Sequence, residues 1–327
     1  MGDDKPEILT AYKSLENIKA QTQTLPGKDV DMDPLAEFTK LECWDDDGKP
    51  FLKEYVGSGK LTGKTAIITG GDSGIGRSAA QMFAREGADV TIVYLPEEEE
   101  DAQKVKALIE KDGRECQTLA LDLMVASNCE KIVEKHLAKF GKLDILVNNA
   151  SKQIQSESLE QIDLENVEST FRSNILAMFA LTKYVSFRSD RSHTLMPDRT
   201  RFALPHMKRG GSIINTSSVT AFKGSPTMLD YSATKGAIIT FTRSLAVQLA
   251  PKGIRVNAVC PGPVYTPLQP ASRTPDNMEN WTLGAVPLHG RASQPAEMGP
   301  TYVFLASADS NAMTGSLMHL NNGQWVG

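Results

Sequence analysis

The part of the chain that follows Leu61 alternates short apolar runs with longer amphipathic stretches. Apolar runs of strand length predict buried strands, and apolar positions three and four apart predict helices. Strands are predicted at 65–69, 89–93, 118–121, 145–147, 212–215, 255–259 and 317–320. Helices are predicted at 75–86, 102–111, 127–140, 167–184, 233–250 and 296–306. Because strands that are apolar on both faces alternate with helices, we expect a single α/β domain: a doubly wound parallel seven-stranded sheet with helices on both faces (Rossmann-type).

Residues 1–60 differ from this pattern, since they are polar, rich in Asp, Lys, Gln and Pro, and have little apolar periodicity. They predict a partly extended or disordered N-terminal extension that lies over the surface of a domain formed by 61–327. Within the extension, 38–51 has enough apolar residues to dock onto that domain. Nearer the other end, 263–295 contains Trp281 and several Pro-containing turns and is predicted to form a lid over the substrate.

Composition and charge argue against several classes of function. The net charge of −5, without a concentrated basic face, argues against a nucleic-acid partner. We find no run of about 18 apolar residues, so no membrane span is expected, and the acidic first residues do not resemble a signal peptide. The four cysteines form no CxxC pair, and the five histidines are too dispersed for a metal site. These features predict a cytoplasmic protein with reduced thiols and no bound metal.

A glycine-rich segment, 69–77, follows the first predicted strand of the domain and opens its first predicted helix. Such a turn points backbone N–H groups and the positive end of the helix dipole toward one place, where a pyrophosphate binds. Glycines there permit backbone angles and close approaches that a side chain forbids, and Gly76 is expected to let the helix pack tightly on the sheet. The alternative is a simple glycine-rich turn. We predict a dinucleotide site that includes Gly70, Asp72, Ser73, Gly74, Ile75 and Gly76.

Tyr231 and Lys235 are four residues apart in a predicted helix, so their side chains lie on one face. An ammonium group near a phenol stabilises the phenolate, and we therefore expect Lys235 to lower the pKa of Tyr231 from about 10 toward neutral pH. A tyrosine tuned in this way exchanges a proton with an alcohol or a carbonyl. For this pair alone, the alternative is a surface tyrosine beside a solvated lysine.

The glycine spacing TGxxxGxG and the later YxxxK motif resemble the short-chain dehydrogenase/reductase superfamily over 61–327. The sequence Asn148-Asn149-Ala150 extends the resemblance, although Ser151 stands where the superfamily has a glycine. The resemblance implies that NAD or NADP is the cofactor and that Lys235 binds its nicotinamide ribose. It also implies contacts of the cofactor with Tyr94, Asp122, Leu123, Asn149, Ala150, Lys235, Pro261, Gly262, Val264 and Thr266.

The same resemblance implies two further catalytic residues. A serine thirteen positions before the tyrosine holds the substrate oxygen, and this offset selects Ser218 rather than Ser217. Asn174 matches the helix asparagine that carries a proton-relay water; its alternative is a mid-helix polar residue bonded to the backbone. The implied catalytic set is Tyr231, Lys235, Ser218 and Asn174.

The segments DYSATKGA (230–237) and PGPVYTPL (261–268) resemble the glucose/ribitol dehydrogenase-like branch. This branch implies an NAD(P)-dependent enzyme that acts on CH–OH groups of a sugar, a polyol or a simple aldehyde or ketone, and a homo-oligomer (dimer or tetramer). Enoyl reductases of the superfamily have six residues between tyrosine and lysine; the three found here favour carbonyl and alcohol chemistry. The alternatives are a 3-ketoacyl-carrier reductase and a catalytically silent, cofactor-binding regulatory protein.

The residues after the second predicted strand leave the form of the cofactor open. An acid at this place binds the ribose hydroxyls of NAD, and a nearby arginine pairs with the 2′-phosphate of NADP. This chain has Tyr94-Leu95 there, which provides neither. The acidic run 97–101 either repels a phosphate or only stabilises the start of a helix through the helix dipole.

The segment 185–202 departs from the superfamily pattern. It contains Pro197 and alternating polar residues, so it interrupts a helix otherwise expected from about 167 to 208. One hypothesis is a surface loop at a subunit interface. The other is a retained intron, because Val-Ser is compatible with a splice-donor sequence. Finding these codons in every mature transcript would rule out the intron.

Overall fold

The structure is a computed structural model that describes residues 8–186 and 206–324. Within the extension, an antiparallel hairpin joins β1 (Lys40–Trp44) to β2 (Pro50–Glu54). The sequence analysis did not predict this hairpin, because its side chains are exposed or half-buried and give no buried apolar run. The Asp47-Gly48 pair between the strands is a recognised signal for a hairpin turn, and Gly48 has a φ of +74°.

The centre of the domain is a parallel sheet of seven strands in the order β5-β4-β3-β6-β7-β8-β9. The strands are β3 (Thr65–Thr69), β4 (Asp89–Tyr94), β5 (Cys116–Ala120), β6 (Leu143–Asn148), β7 (Met207–Thr216), β8 (Arg255–Pro261) and β9 (Leu317–Leu320). The chain winds outward from β3 in one direction and from β6 in the other. The predicted doubly wound seven-stranded sheet is therefore confirmed.

Helices cover both faces of this sheet. They are α1 (Gly74–Arg85), α2 (Glu99–Lys111), α3 (Ala126–Phe140), α4 (Leu164–Phe171), α5 (Ala177–Ser186), α6 (Thr220–Lys223), α7 (Leu229–Leu249) and α8 (Pro295–Ala306). Successive strand residues point to opposite faces, so Ile68 joins an apolar cluster with α1 and α8, and Ile67 joins one with α3, α5 and α7. No helix of the described ranges is both long enough and apolar enough to cross a membrane.

The helix expected from about 167 to 208 differs from the structure at two places. A π-helical turn, Arg172–Leu176, connects α4 to α5. Further on, Met207 begins β7, pairs with Leu143 and is buried in the core, so the expectation that the helix reaches 208 is wrong. Pairing with the sheet and burial of this side chain outweigh the helical pattern of the sequence. From residue 187 onward, the predicted insertion 185–202 lies outside the described residues.

A fully buried arginine ties the extension to the domain. Arg291 donates hydrogen bonds to Glu42 of β1 (2.8 Å) and to Glu297 of α8 (2.9 Å), and its guanidinium lies 4.7 Å from the centroid of the Tyr12 ring. Tyr12 and Ile18 are themselves buried, in a cluster that includes residues of 263–295. Part of the extension thus contributes to a hydrophobic core, while other residues of it, such as Leu35 and Val56, are exposed.

Candidate functional site

The carboxyl ends of the sheet strands surround a cavity of about 350 Å³. In a doubly wound sheet, a ligand crevice forms where the strand order reverses, which here is the gap between β3 and β6. The loops that follow β3, β4, β5, β6, β7 and β8 all contribute lining residues. The cavity extends from the glycine loop at one end to Tyr231 at the other.

The glycine loop between β3 and α1 is tightly folded. Gly70 has a φ of +61°, a conformation that other residues rarely adopt. A Cβ atom added at Gly76 would lie only 1.9 Å from the carbonyl oxygen of Gly70 and 2.7 Å from Nδ2 of Asn149. We expected Gly76 to permit close packing on the sheet, but its closest neighbour is the glycine loop itself. The loop therefore keeps the first N–H groups of α1 at the edge of the cavity.

Most of the residues predicted to contact a cofactor line this one cavity. They are Gly70, Asp72, Ser73, Gly74, Ile75, Tyr94, Asp122, Leu123, Asn149, Ala150, Lys235, Pro261, Gly262, Val264 and Thr266. Of the predicted catalytic residues, Tyr231, Lys235 and Ser218 line it as well. Gly76 and Asn174 do not line the cavity. Gly76 packs against the carbonyl group of Gly70, and the side chain of Asn174 is hydrogen-bonded to Lys152 in the protein interior.

The sequence analysis missed one wall of the cavity. Leu25, Pro26 and Gly27 of the extension line it, and a Cβ atom added at Gly27 would lie 2.4 Å from the carbonyl oxygen of Pro267. This wall joins segments that are distant in the chain, so no local pattern marks it. Glu98, in the acidic run after β4, is another lining residue that was not predicted.

Asn149 holds β3 and β6 together at the floor of the cavity. Its backbone N–H donates to Oγ1 of Thr69 (2.9 Å), and its side-chain amide donates to the carbonyl groups of Thr69 and Gly70 (3.2 Å each). Ser151, which replaces the glycine of the superfamily, also lines the cavity. Its buried hydroxyl has no hydrogen-bond partner among the described residues.

Tyr231 and Ser218 place two hydroxyl groups side by side at the far end of the cavity. Tyr231 lies in α7 and Ser218 follows β7; both are largely buried and line the cavity, and Ser218 is close enough to have a lowering effect on the pKa of Tyr231. Oγ of Ser218 accepts hydrogen bonds from the backbone N–H and the hydroxyl of Thr220, each at 3.1 Å. Because Ser218 is the acceptor in both, its own proton remains available for donation.

Lys235 does not have the expected effect on Tyr231. Its Nζ donates to the carbonyl of Thr216 at 3.0 Å and lies 5.2 Å from the centroid of the Tyr231 ring. Burial raises the pKa of Tyr231 to about 12, against the smaller lowering effects of the Ser218 hydrogen bond and the Arg273 charge. Burial also lowers the pKa of Lys235 to about 7, because the buried ammonium loses its hydration. The expected lowering of the tyrosine pKa is therefore wrong for this structure.

Asn174 lies in the π-helical turn and is almost fully buried. Its amide oxygen accepts from the N–H of Lys152 (2.7 Å), and its amide nitrogen donates to the carbonyl of Lys152 (2.8 Å) and to the hydroxyl of Thr234 (3.1 Å). Both ends of the side chain thus connect the turn to the loop after β6 and to α7. The role of Asn174 as a carrier of a water molecule stays a prediction.

Among the described residues, Glu42, His289 and Glu297 have ligand-type atoms that all lie within 4.8 Å of one another. Arg291 already binds both carboxylates, which compensates their charge. None of the three residues lines the cavity.

The chain was compared with known proteins. A family model described as short chain dehydrogenase matches residues 64–193, and one described as enoyl-(acyl carrier protein) reductase matches 189–324. NADPH-dependent aldehyde reductase 1, chloroplastic, of Arabidopsis thaliana is 42% identical over 94% of this chain and 98% of its own length. Glucose and ribitol dehydrogenase of Daucus carota is 40% identical over 93% and 95%, respectively.

The fold of this chain is also similar to that of a solved structure. The short chain dehydrogenase from Burkholderia cenocepacia J2315, in complex with NADP, matches with a TM-score of 0.70 and 28% identity over 81% of this chain and 99% of the other. The fold and the cavity thus define a Rossmann-type oxidoreductase. The chain belongs to the short-chain dehydrogenase/reductase family, which confirms the resemblance described above, including that to the glucose/ribitol dehydrogenase-like branch.

Proposed function

We propose that this protein transfers a hydride between NAD(P) and a carbonyl or alcohol, with Tyr231 as the general acid and base. The observation that carries the proposal is the adjacent pair of Tyr231 and Ser218 hydroxyls at the end of a cavity whose other end is the glycine loop. A site of this kind needs a proton donor beside the place where negative charge develops on oxygen.

The lining residues fit a dinucleotide. The tight glycine loop brings the backbone of α1 close to the cavity, where a pyrophosphate meets N–H groups rather than side chains. Asp72, Tyr94 and Asp122 surround one end, and Lys235 and Gly262 surround the other. A bound nicotinamide cofactor would supply the hydride acceptor or donor.

The residues of the chain would handle the proton and the substrate oxygen. In carbonyl reduction, the carbonyl carbon gains the hydride, the C=O electron pair moves onto oxygen, and the O–H bond of Tyr231 breaks to protonate that oxygen. Ser218 would hold the same oxygen through its free hydroxyl proton. A pKa of about 12 keeps Tyr231 protonated at neutral pH, which is the form that donates a proton in carbonyl reduction.

The substrate class is inferred from the names of the relatives and from the spacing of the tyrosine and the lysine. The names of the Arabidopsis and Daucus relatives support an aldehyde, a sugar or a polyol as the substrate. Three residues between Tyr231 and Lys235 favour carbonyl chemistry, although the C-terminal family model is described as an enoyl reductase. A 3-ketoacyl-carrier reductase is the second candidate; the sequence offers no evident basic patch for an acidic carrier. A cytoplasmic homo-oligomer, dimer or homotetramer, is proposed from the resemblance alone.

The replacement Tyr231→Phe tests the mechanism. Because it removes the proton donor and keeps the ring, we expect turnover of an aldehyde by NADH or NADPH to fall by about 10²- to 10⁴-fold. Cofactor binding, followed by nicotinamide fluorescence, should persist. Tyr55→Phe is the matched control, since its hydroxyl donates to Glu86 outside the cavity. Unchanged turnover in Tyr231→Phe would refute the mechanism, and a wild-type protein that binds cofactor but reduces no carbonyl would favour a silent regulatory role.

A further inference from the structure

The cavity contains a buried carboxylate that has no cation and no hydrogen bond of normal geometry among the described residues. Asp72, in the glycine loop, is 1% exposed and lines the cavity. Neither of its carboxylate oxygens has a hydrogen-bond partner of normal geometry among the described residues. Buried polar groups are nearly always paired, so an unpaired carboxylate facing a cavity indicates a ligand with donor groups.

A second carboxylate lines the same end of the cavity. Glu98 follows β4, and its Oε2 accepts a hydrogen bond from the backbone N–H of Leu95 at 2.9 Å. This contact positions the side chain and leaves acceptor capacity on both oxygens. The sequence interpretation of the acidic run as a helix start is therefore incomplete, because Glu98 belongs to the cavity wall while Glu97 is exposed.

Further acidic side chains lie near Asp72 and Glu98. Asp29 and Asp101 are buried behind them, and Arg77 is the cation that pairs with Asp29, at 3.2 Å. Among the described residues that line the cavity, the cations are Lys152, in the loop after β6, and Lys235, in α7 at the catalytic end. Burial and the neighbouring acids raise the pKa of Glu98 to about 7 and that of Asp72 well above its ordinary value.

The position of Asp72 and Glu98 in the fold indicates which part of a bound dinucleotide they would contact. In doubly wound dinucleotide sites, the residues after the second strand of the sheet unit contact the adenosine ribose. Here that strand is β4, and Glu98 lies just beyond its end, with Asp72 in the facing glycine loop. Carboxylates accept hydrogen bonds from the 2′- and 3′-hydroxyls of a ribose.

We propose that Asp72 and Glu98 form a ribose-hydroxyl site that makes this enzyme select NAD(H) over NADP(H). The inference rests on the proposed function, and it deepens that function by choosing between the two cofactors. A 2′-phosphate would add up to two negative charges to a group of buried acids that already resists ionisation and has no cation lining this end of the cavity, whereas ribose hydroxyls supply the missing donors. The name of the Arabidopsis relative specifies NADPH, so the proposal distinguishes this chain from that relative.

The test is a titration of the full chain with NADH and with NADPH, each followed by nicotinamide fluorescence. For the wild type, we expect NADH to bind at least about tenfold more tightly, as like-charge contacts strongly disfavour a ligand. In the double variant Asp72→Asn, Glu98→Gln, the preference should shrink to about twofold or less, mainly because NADPH binds more tightly. This gain of binding cannot come from misfolding. Glu97→Gln removes an exposed charge from the same turn and should leave both affinities unchanged.

The outcomes separate this inference from the proposed function. If the wild type binds NADPH as tightly as NADH, or more tightly, the inference is wrong while the enzyme mechanism stands. An unchanged preference in the double variant would also overturn it, since other residues would then discriminate. If neither nucleotide binds, the proposed function itself fails, and the ribose site fails with it.

Discussion

At the scale of single residues, two adjacent serines have different proposed roles: Ser217 stabilises the fold, and Ser218 binds the substrate oxygen. Oγ of Ser217 donates to the backbone carbonyl of Lys235 at 2.8 Å, while Ser218 presents its hydroxyl beside Tyr231. We expect Ser218→Ala to reduce carbonyl turnover by about 10²- to 10³-fold and also to lower the free energy of unfolding by about 1–3 kcal/mol, because Thr220 loses a buried acceptor. Ser217→Ala should lower the free energy of unfolding by about 1 kcal/mol and retain most of the activity.

Steady-state kinetics and denaturant unfolding of both variants check this division, and each serves as the control for the other. The reverse pattern, with turnover lost only in Ser217→Ala, would contradict the assignment of Ser218. Ser218 was predicted from the resemblance to the superfamily, in which a serine stands thirteen positions before the tyrosine. The sequence did not predict the pKa values of Tyr231 and Lys235, since these depend on burial by the whole fold.

At the scale of elements, a carboxylate of the extension lies at the start of α1. Asp29 accepts hydrogen bonds from the N–H of Gly74 (3.3 Å) and from Arg77 (3.2 Å). Burial, together with Asp101 and Asp72, nevertheless raises its pKa from 3.8 to about 7. A raised pKa stabilises the fold fully below the unfolded value, and this stability is lost as the pH rises through about 7.

We therefore expect Asp29→Asn to gain stability relative to the wild type as the pH rises from about 4 to 8, by as much as a few kcal/mol. Denaturant unfolding at several pH values measures the difference. Asp31→Asn is the matched control, because Asp31 is an exposed neighbour. A constant difference between Asp29→Asn and the wild type would show that Asp29 titrates normally, and a difference that grows as the pH falls would show that its pKa is lowered; either result contradicts the prediction.

Comparison of the predicted and observed strands shows which elements a local sequence pattern can predict. Strands such as β3 and β9 were predicted within a residue, because buried apolar runs and flanking turns are local signals. The hairpin of β1 and β2 was missed, since exposed strands carry little apolar signal. The cavity wall at Leu25 to Gly27 was missed for another reason: it exists only through contact with the loop that holds Pro267.

At the scale of the whole molecule, the extension and the segment 263–295 share one core. Ile18 is fully buried in a cluster with Tyr265 and Met278, and its carbonyl accepts from the backbone N–H of Asn280 at 2.8 Å. Gln23 likewise donates its N–H to the carbonyl of Pro270 at 3.0 Å. The extension therefore packs against a segment that lines the cavity at Val264 and at 266–269, and the two should unfold together with the domain.

The replacement Ile18→Ala tests whether the extension unfolds together with the domain. It leaves the backbone hydrogen bond in place and empties a buried site, so the free energy of unfolding should fall by about 2–5 kcal/mol. Loss of NADH binding and loss of intrinsic fluorescence should follow the same denaturant curve, because the cavity wall and the core are one cooperative unit. Leu9→Ala, at a side chain that is 55% exposed, should change the stability by less than about 0.5 kcal/mol. An Ile18→Ala protein that loses NADH binding well before its main transition would show that the extension unfolds separately from the sheet.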